Sequence, residues 1–487
     1  MKSRLLFYKL IDFIENDMDY HIALIGGIRR TGKTTLLKQL KQQYGDEAEY
    51  FDLSRPENDL ERIEDLFLDN PRKLLLLDEI TYLDDYEMIS QMLYNSEETG
   101  THRMYKVIMT GSSSAHVEKL SNSKLGCRAR LFRLPLLTFV EYLYFSDKIP
   151  SYENYNSVTN ADFADYLKLS GLAGPASGLA ITFDAQYFKA FYGETIFSNK
   201  KSRLTYSLVD LNEDDLTNLV NIMAYKLNEA CGYKETIEPR IGGQEHIHLY
   251  NQQIKTKMSK IDLSTTIIAD SVKAVPGITC EDIGRILYFL LWSGIAAIEH
   301  TRTALDVSPR GAASILEAVK RCGSEVDFES LFKEVSICLI SPLYYTRIGR
   351  DILQQMNVPV EKLYKGMLFG KMLELYLRGA FAIRQAKPVL VTHKLKVTGI
   401  GDVDIWDNHN RILCEISSGD KRFNEIHVHK FFREHEFIRV CSSKNKDFFD
   451  EKRGYYQIPY ARLCCMIDTG DIFKQNKTRT ALTAYTT

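Results

Sequence analysis

The chain has 487 residues, 45% hydrophobic and 26% charged, with 62 basic against 64 acidic side chains and a formal net charge of -2. That length makes room for about two to four domains. The composition excludes a disordered or collagen-like chain, and the charge balance excludes a polycation, so any nucleic-acid contact must use a local basic face. Nine cysteines, an odd number with no C-x-x-C pair, form no readable zinc ribbon or disulfide framework and suit a reducing cytoplasm.

Met1 to Asn16 has periodic apolar residues but also Asp12 and Glu15, which does not read as a secretory leader. The longest uncharged apolar stretch, Ile286 to Ile298, is shorter than the ~20 residues a bilayer requires. No membrane partner is expected.

Along residues 1–145, helical and strand patterns alternate. An amphipathic helix is predicted from Leu5 to Glu15 and a strand from His21 to Ile25. A Gly-rich turn and a helix from Lys33 to Tyr44 follow. Strands near Glu49 to Leu53, Lys73 to Leu77 and Lys106 to Thr110 are separated by helices near Asp59 to Leu68 and Tyr86 to Ser96. This alternation predicts a parallel sheet with helices on both faces.

From about 149 to 345 the pattern is mostly helical. Thr279 to Leu291 followed by a strand at Ile295 to Ile298 has the order a winged helix needs, though an ordinary helix–strand unit has the same pattern. Beyond 346 a helix spans Leu363 to Ala382. Strands follow near Pro388 to His393, Asp402 to Trp406 and Arg411 to Ile416, then a helix near Asn424 to Glu434 and a strand near Phe437 to Cys441. The expected division is 1–148, 149–345, 346–474 and a polar tail over 475–487.

The segment Gly27-Ile28-Arg29-Arg30-Thr31-Gly32-Lys33-Thr34 fits G-x-x-x-x-G-K-[ST] at every required position, and Thr35 follows on the helix. Glycines let the backbone curl so that N–H groups point inward, and the following helix adds its positive end. Lys33 is expected to reach the β/γ-phosphates of ATP, and Thr34 to place its hydroxyl on Mg2+. Leu74 to Leu77, then Asp78-Glu79, form an apolar strand ending in acids. Asp78 is expected to hold the metal and Glu79 to orient and polarise the attacking water. Thr110 and Ser112, at the end of the next strand, are candidate phosphate-sensing hydroxyls, with a plain turn or N-cap as the equal alternative.

These residues resemble the AAA+ ATPases of archaeal and bacterial type with a C-terminal domain of long-unknown function. The resemblance rests on Gly27 to Thr35, Asp78-Glu79-Ile80, Thr110 to Ser113, Gly126-Cys127-Arg128, Pro135-Leu136 and Glu141. It implies a sheet order of 5-1-4-3-2, a helical lid and an arginine that reads the γ-phosphate from a neighbouring subunit or domain. Arg128 and Arg130 are the candidates, since Cys127 interrupts the family's Gly-Arg pair; a solvated strand edge explains them equally.

The C-terminal half of that family resembles the PD-(D/E)xK nuclease superfamily. Here Glu374 on a helix, Asp402 and Asp404 on one strand, and Glu415 on the next are the candidate acidic cluster around a divalent metal. Ser417 stands where the active superfamily has lysine, which favours a degenerate DNA-binding or structural domain. His427, His429 and His435, and likewise His246 and His248, fit exposed or strand positions better than metal sites.

The sequence therefore predicts an α/β protein: a P-loop AAA+ parallel sheet, a helical or winged-helix-like middle, and a C-terminal α/β restriction-endonuclease-like domain. ATP hydrolysis with Mg2+ is the leading activity. A nucleotide-gated switch with little turnover and an ATP-gated DNA nuclease are the alternatives. DNA and a second copy of the chain stay open as partners.

Overall fold

The structure, a computed structural model, describes residues 2–27, 31–55, 61, 63, 74–80, 106–111, 129–171, 296–303, 335–339, 342–343, 361, 366–384, 391–397, 401–407, 412–416, 436–440, 448–450 and 455–473. The predicted helices at 86–96, 279–291 and 424–434, all of the one at 59–68 except the helical residues 61 and 63, most of the middle region and the tail lie outside them.

Strands β1 (Ile22–Gly26), β2 (Ala48–Asp52), β3 (Leu74–Asp78), β4 (Val107–Thr110) and β5 (Ala129–Arg133) form one parallel sheet in the order β2-β3-β4-β1-β5. Read from the other edge, this is the order the resemblance implied. The central strands β1, β3 and β4 are buried at every position, as parallel strands covered on both faces must be. Successive side chains alternate between faces. Ala23, Ile25, Leu74, Leu76 and Ile108 pack under helices α1 (Leu5–Asn16) and α2 (Lys33–Tyr44), against Leu10, Phe13, Leu36 and Leu40. Ile22, Leu24, Leu75, Leu77, Val107 and Met109 meet Leu53, Ile63 and Ile80 on the other face. β5, which the sequence reading did not predict, is a half-buried edge strand whose pattern has too little apolar content to stand out.

After β5 the chain enters α3 (Phe139–Phe145). A capping box starts it: the Thr138 hydroxyl accepts from Glu141 N–H, and the Glu141 carboxylate accepts from Thr138 N–H at 3.0 Å. α4 (Asn160–Leu167) follows. These two helices pack with α5 (Gly366–Ile383) and α6 (Tyr460–Thr469). Phe163 lies at the centre, with ring centroids 5.2 Å from Phe139, 5.3 Å from Tyr376 and 5.9 Å from both Phe369 and Tyr460. The steep interplanar angles are the edge-to-face geometry that the ring quadrupoles favour.

The joint also has a polar centre. Asp468 on α6 accepts from the Tyr376 hydroxyl at 2.6 Å and from Val140 N–H at 3.1 Å, while the Tyr376 oxygen accepts from Phe139 N–H at 2.6 Å. Burial pushes the Asp468 carboxyl up to about 7 and nearby Glu141 adds to this. The Tyr376 and Val140 hydrogen bonds and Arg384 oppose it. A value above the ordinary 3.8 means that the folded state holds this proton more tightly than the unfolded chain does. Its contribution to stability is complete below the unfolded value and is lost as pH rises through about 7. Asp468→Asn keeps an acceptor without the charge. Its melting temperature relative to wild type should therefore climb between about pH 4 and about pH 7 and level off above. A difference that stays flat across that range contradicts the assignment.

The C-terminal strands form two sheets. One has the order β7-β6-β8-β9, with β6 (Ala296–Thr303), β7 (Val335–Leu339), β8 (Val391–Val397) and β9 (Gly401–Val403). The other has the order β10-β11-β12-β14-β13, with β10 (Ile405–Asp407), β11 (Ile412–Glu415), β12 (Glu436–Val440), β13 (Phe448–Asp450) and β14 (Tyr455–Ile458). β6 and β7 lie before residue 346 but share a sheet with β8 and β9, which lie after it. The single strand predicted over Asp402 to Trp406 is two strands in different sheets, broken at Asp404. There the carboxylate accepts from Ile416 N–H at 2.9 Å and the carbonyl accepts from Arg378 Nε at 3.1 Å, which takes the residue out of both ladders.

Candidate functional site

The phosphate-loop motif connects the carboxyl end of β1 to the N-terminus of α2. Gly27 has no room for a side chain, because a Cβ there would lie 2.4 Å from the Leu134 carbonyl oxygen. Gly32, at the N-cap of α2, has a left-handed φ of +96°. Each glycine in the motif thus has its own physical cause. Lys33 opens α2 with its side chain buried, and its ammonium donates to the Gly27 carbonyl at 2.7 Å. Thr34 is half-buried in the first turn and Thr35 is exposed. Ile28, Arg29 and Arg30 lie outside the described residues.

Asp78 ends β3. It shares the face of Leu74 and Leu76, so its carboxylate lies on the same side of the sheet as α2. Only 2% of it is exposed, and both oxygens are engaged: Thr110 Oγ1 on β4 donates to Oδ1 at 2.5 Å, and Tyr50 OH on β2 donates to Oδ2 at 2.9 Å. Burial and the Asp78 charge raise the Tyr50 phenol well above its ordinary range, so it stays a donor. Glu79 follows with φ +58°, a left-handed backbone that costs a non-glycine residue about 1–2 kcal/mol. Such strain persists only where surrounding structure enforces it, and it clusters at functional positions.

The loop, Asp78 and Thr110 therefore meet at the carboxyl ends of β1, β3 and β4. Tyr50 was missed because no motif contains it. Its one signal is register: it pairs with Leu76, two residues before Asp78 on the same face, and that pairing requires knowledge of the sheet order. Arg130 is at the other end. It aligns with Ala23 near the start of β1 and pairs with Asp17 at 2.7 Å. Arg128 and Ser112 lie outside the described residues.

A glycine-lined loop with a buried lysine, beside a strand-end carboxylate held by two hydroxyls, defines a P-loop-type α/β nucleotide-binding domain. Residues 19–143 match the family model described as AAA domain, which supports a nucleotide-binding domain of AAA type in this segment. No curated protein matches the chain. Among the described residues no helix is long and apolar enough to cross a membrane. The residues present fit ATP with magnesium: the Lys33 ammonium is buried at the loop, and Thr34 and Asp78 offer hard oxygen ligands.

The C-terminal acids fit a metal poorly. Glu374 on α5 and Asp404 converge on the buried guanidinium of Arg378, which pairs with Glu374 one helical turn away and lies 3.8 Å from Asp404 Oδ1. Glu415 is fully buried at the end of β11, beside the Ile416 N–H that Asp404 binds. Asp402 lies on β9. Among the described residues no group of three or more His, Cys, Asp or Glu is placed to hold a metal ion. Arg378 was legible in sequence as the i+4 neighbour of Glu374 on a predicted helix, but its insertion among strand carboxylates was not.

Proposed function

We propose that the chain binds ATP with Mg2+ at Lys33, hydrolyses it with Glu79, and transmits the change to its C-terminal half. The observation that supports this best is Asp78, a buried strand-end carboxylate oriented by Tyr50 and Thr110 beside the loop. Lys33 binds the β/γ-phosphates, and Thr34 and Asp78 hold the metal, which neutralises phosphate charge when bound. Glu79 orients and polarises the attacking water. The phosphate-reading arginine is assigned to Arg128 or Arg130 of a neighbouring copy. Arg130's position at the far end of its own sheet is in keeping with a role outside its own site.

In this reading the C-terminal half is a docking or DNA-binding domain rather than a metal nuclease. Arg378 supplies a fixed cation among its carboxylates, and Ser417 stands in place of the lysine. DNA binding rests on the resemblance alone. The division at 148 is kept for the ATPase region, whereas a boundary at 345 would cut the sheet that joins β6 and β7 to β8 and β9, so these two strands are assigned to the C-terminal half. A cytoplasmic location is in keeping with the buried free thiols Cys414, Cys464 and Cys465.

The test is phosphate release from ATP, with and without magnesium and DNA. Wild type should release phosphate only with magnesium, and Glu79→Gln should retain bound ATP while turning over about 100-fold or more slowly. Tight ATP binding with no phosphate release under any of these conditions gives the slow-turnover switch instead. DNA cleavage that vanishes in Glu415→Ala gives the nuclease.

A further inference from the structure

We propose that Arg4 is a positioning residue for the phosphate loop, turning the Gly32 N–H into the cradle by anchoring the Thr31 carbonyl from behind. The proposal rests on the ATP-binding reading above. Arg4 precedes α1, far in sequence from the motif, and only 6% of it is exposed. Its fork spends each nitrogen on a different partner. Nη1 donates to the Thr31 carbonyl at 2.8 Å, Nε to Glu141 Oε1 at 2.8 Å, and Nη2 to the Pro135 and Leu136 carbonyls at 3.0 and 3.4 Å.

A trans peptide points its C=O and its N–H in opposite directions. Anchoring the Thr31 oxygen on the guanidinium therefore aims the Gly32 N–H away from Arg4. Gly32 is the residue whose left-handed backbone starts α2, where a phosphate needs inward-pointing donors. The other end of the loop rests on the same support: Gly27 abuts the Leu134 carbonyl, immediately before the two carbonyls that Arg4 binds.

Glu141 holds Arg4 in place. It is buried, accepts from Leu5 N–H at 2.9 Å as well as from Arg4, and completes the capping box with Thr138. Burial raises its carboxyl, but Arg4 and the Thr138 and Leu5 amides outweigh that and hold it below the ordinary range, so the pair is ionised. Only a planar fork reaches all four acceptors at once; a lysine ammonium in the same place cannot.

The test compares wild type, Arg4→Lys and Glu141→Gln for binding of a fluorescent ATP analogue with magnesium, for kcat and KM, and for melting without nucleotide. In folded Arg4→Lys, nucleotide affinity should weaken about tenfold and KM should rise with it. Glu141→Gln should show a smaller loss of the same kind. A purely structural role would lower melting and leave the affinity of the folded protein unchanged, which overturns the proposal. Should Arg4→Lys not fold, Arg4→Gly is titrated with millimolar guanidinium: restored nucleotide affinity supports the proposal, and restored melting without restored affinity overturns it. If wild type itself binds no nucleotide, the ATPase reading fails. If wild type binds and the folded variants bind equally well, the positioning role alone fails.

Discussion

Lys33→Ala is expected to abolish ATP binding at micromolar nucleotide and, with it, all phosphate release. The Lys33 ammonium is buried and donates to the Gly27 carbonyl at the start of the loop. In the proposed site it is the described residue of the motif whose side chain brings a full charge to the β/γ-phosphates. Removing one member of a buried, hydrogen-bonded charge pair costs about 2–5 kcal/mol, or roughly 30- to 5,000-fold in affinity. Alanine is the best helix former, so the start of α2 should survive the change. Titration calorimetry with ATP and magnesium, together with a melting curve, separates loss of the site from loss of the fold. An affinity indistinguishable from wild type in a folded Lys33→Ala protein refutes the assignment of the site.

Phe163→Ala should bring a large loss of stability. Phe163 is fully buried, and its ring meets rings from α3, α5 and α6 at once. Deleting a buried phenylalanine costs about 3–5 kcal/mol, because transfer energy is lost and a cavity remains. Here the cavity opens where the helices that follow the parallel sheet, α3 and α4, meet the C-terminal helices α5 and α6. The expected signature is a lowered denaturation midpoint, with the region around α5 and α6 becoming protease-sensitive before the parallel sheet does. Unchanged denaturation, with α5 and α6 as resistant as in wild type, contradicts that account of the joint.

The parallel sheet was the most legible part of the chain. Leu74 to Leu77 and Val107 to Met109 are short apolar runs closed by polar residues, and local pattern suffices to mark such buried strands. The loop was legible because its glycines answer local needs, Gly27 at its close approach to Leu134 and Gly32 with its left-handed backbone. The edge strand β5 was missed because its mostly half-buried residues, with Arg130 and Arg133 among them, have too little apolar content to stand out. α6 was missed too, although it is apolar at most positions and ends at Gly470 in a left-handed conformation, a readable stop signal. The break at Asp404 was not legible. Alternating Asp402, Val403, Asp404 and Ile405 has the period of one strand, and the hydrogen bonds that interrupt it come from Ile416 and Arg378.

What the sequence by itself determined is the motif from Gly27 to Thr34, with glycines where the backbone requires them, and the apolar strand that ends in Asp78; the roles proposed for Lys33, Thr34, Asp78 and Glu79 follow from that pattern. What only the tertiary structure decided is how those groups are held. Tyr50 and Thr110 orient Asp78, Arg4 and Glu141 support the loop from behind, and Arg378 sits among the C-terminal carboxylates. The physical reason is range. Backbone curvature and helix starts are written into neighbouring residues, whereas buried charges must be satisfied by whatever distant segments the fold brings within hydrogen-bond reach.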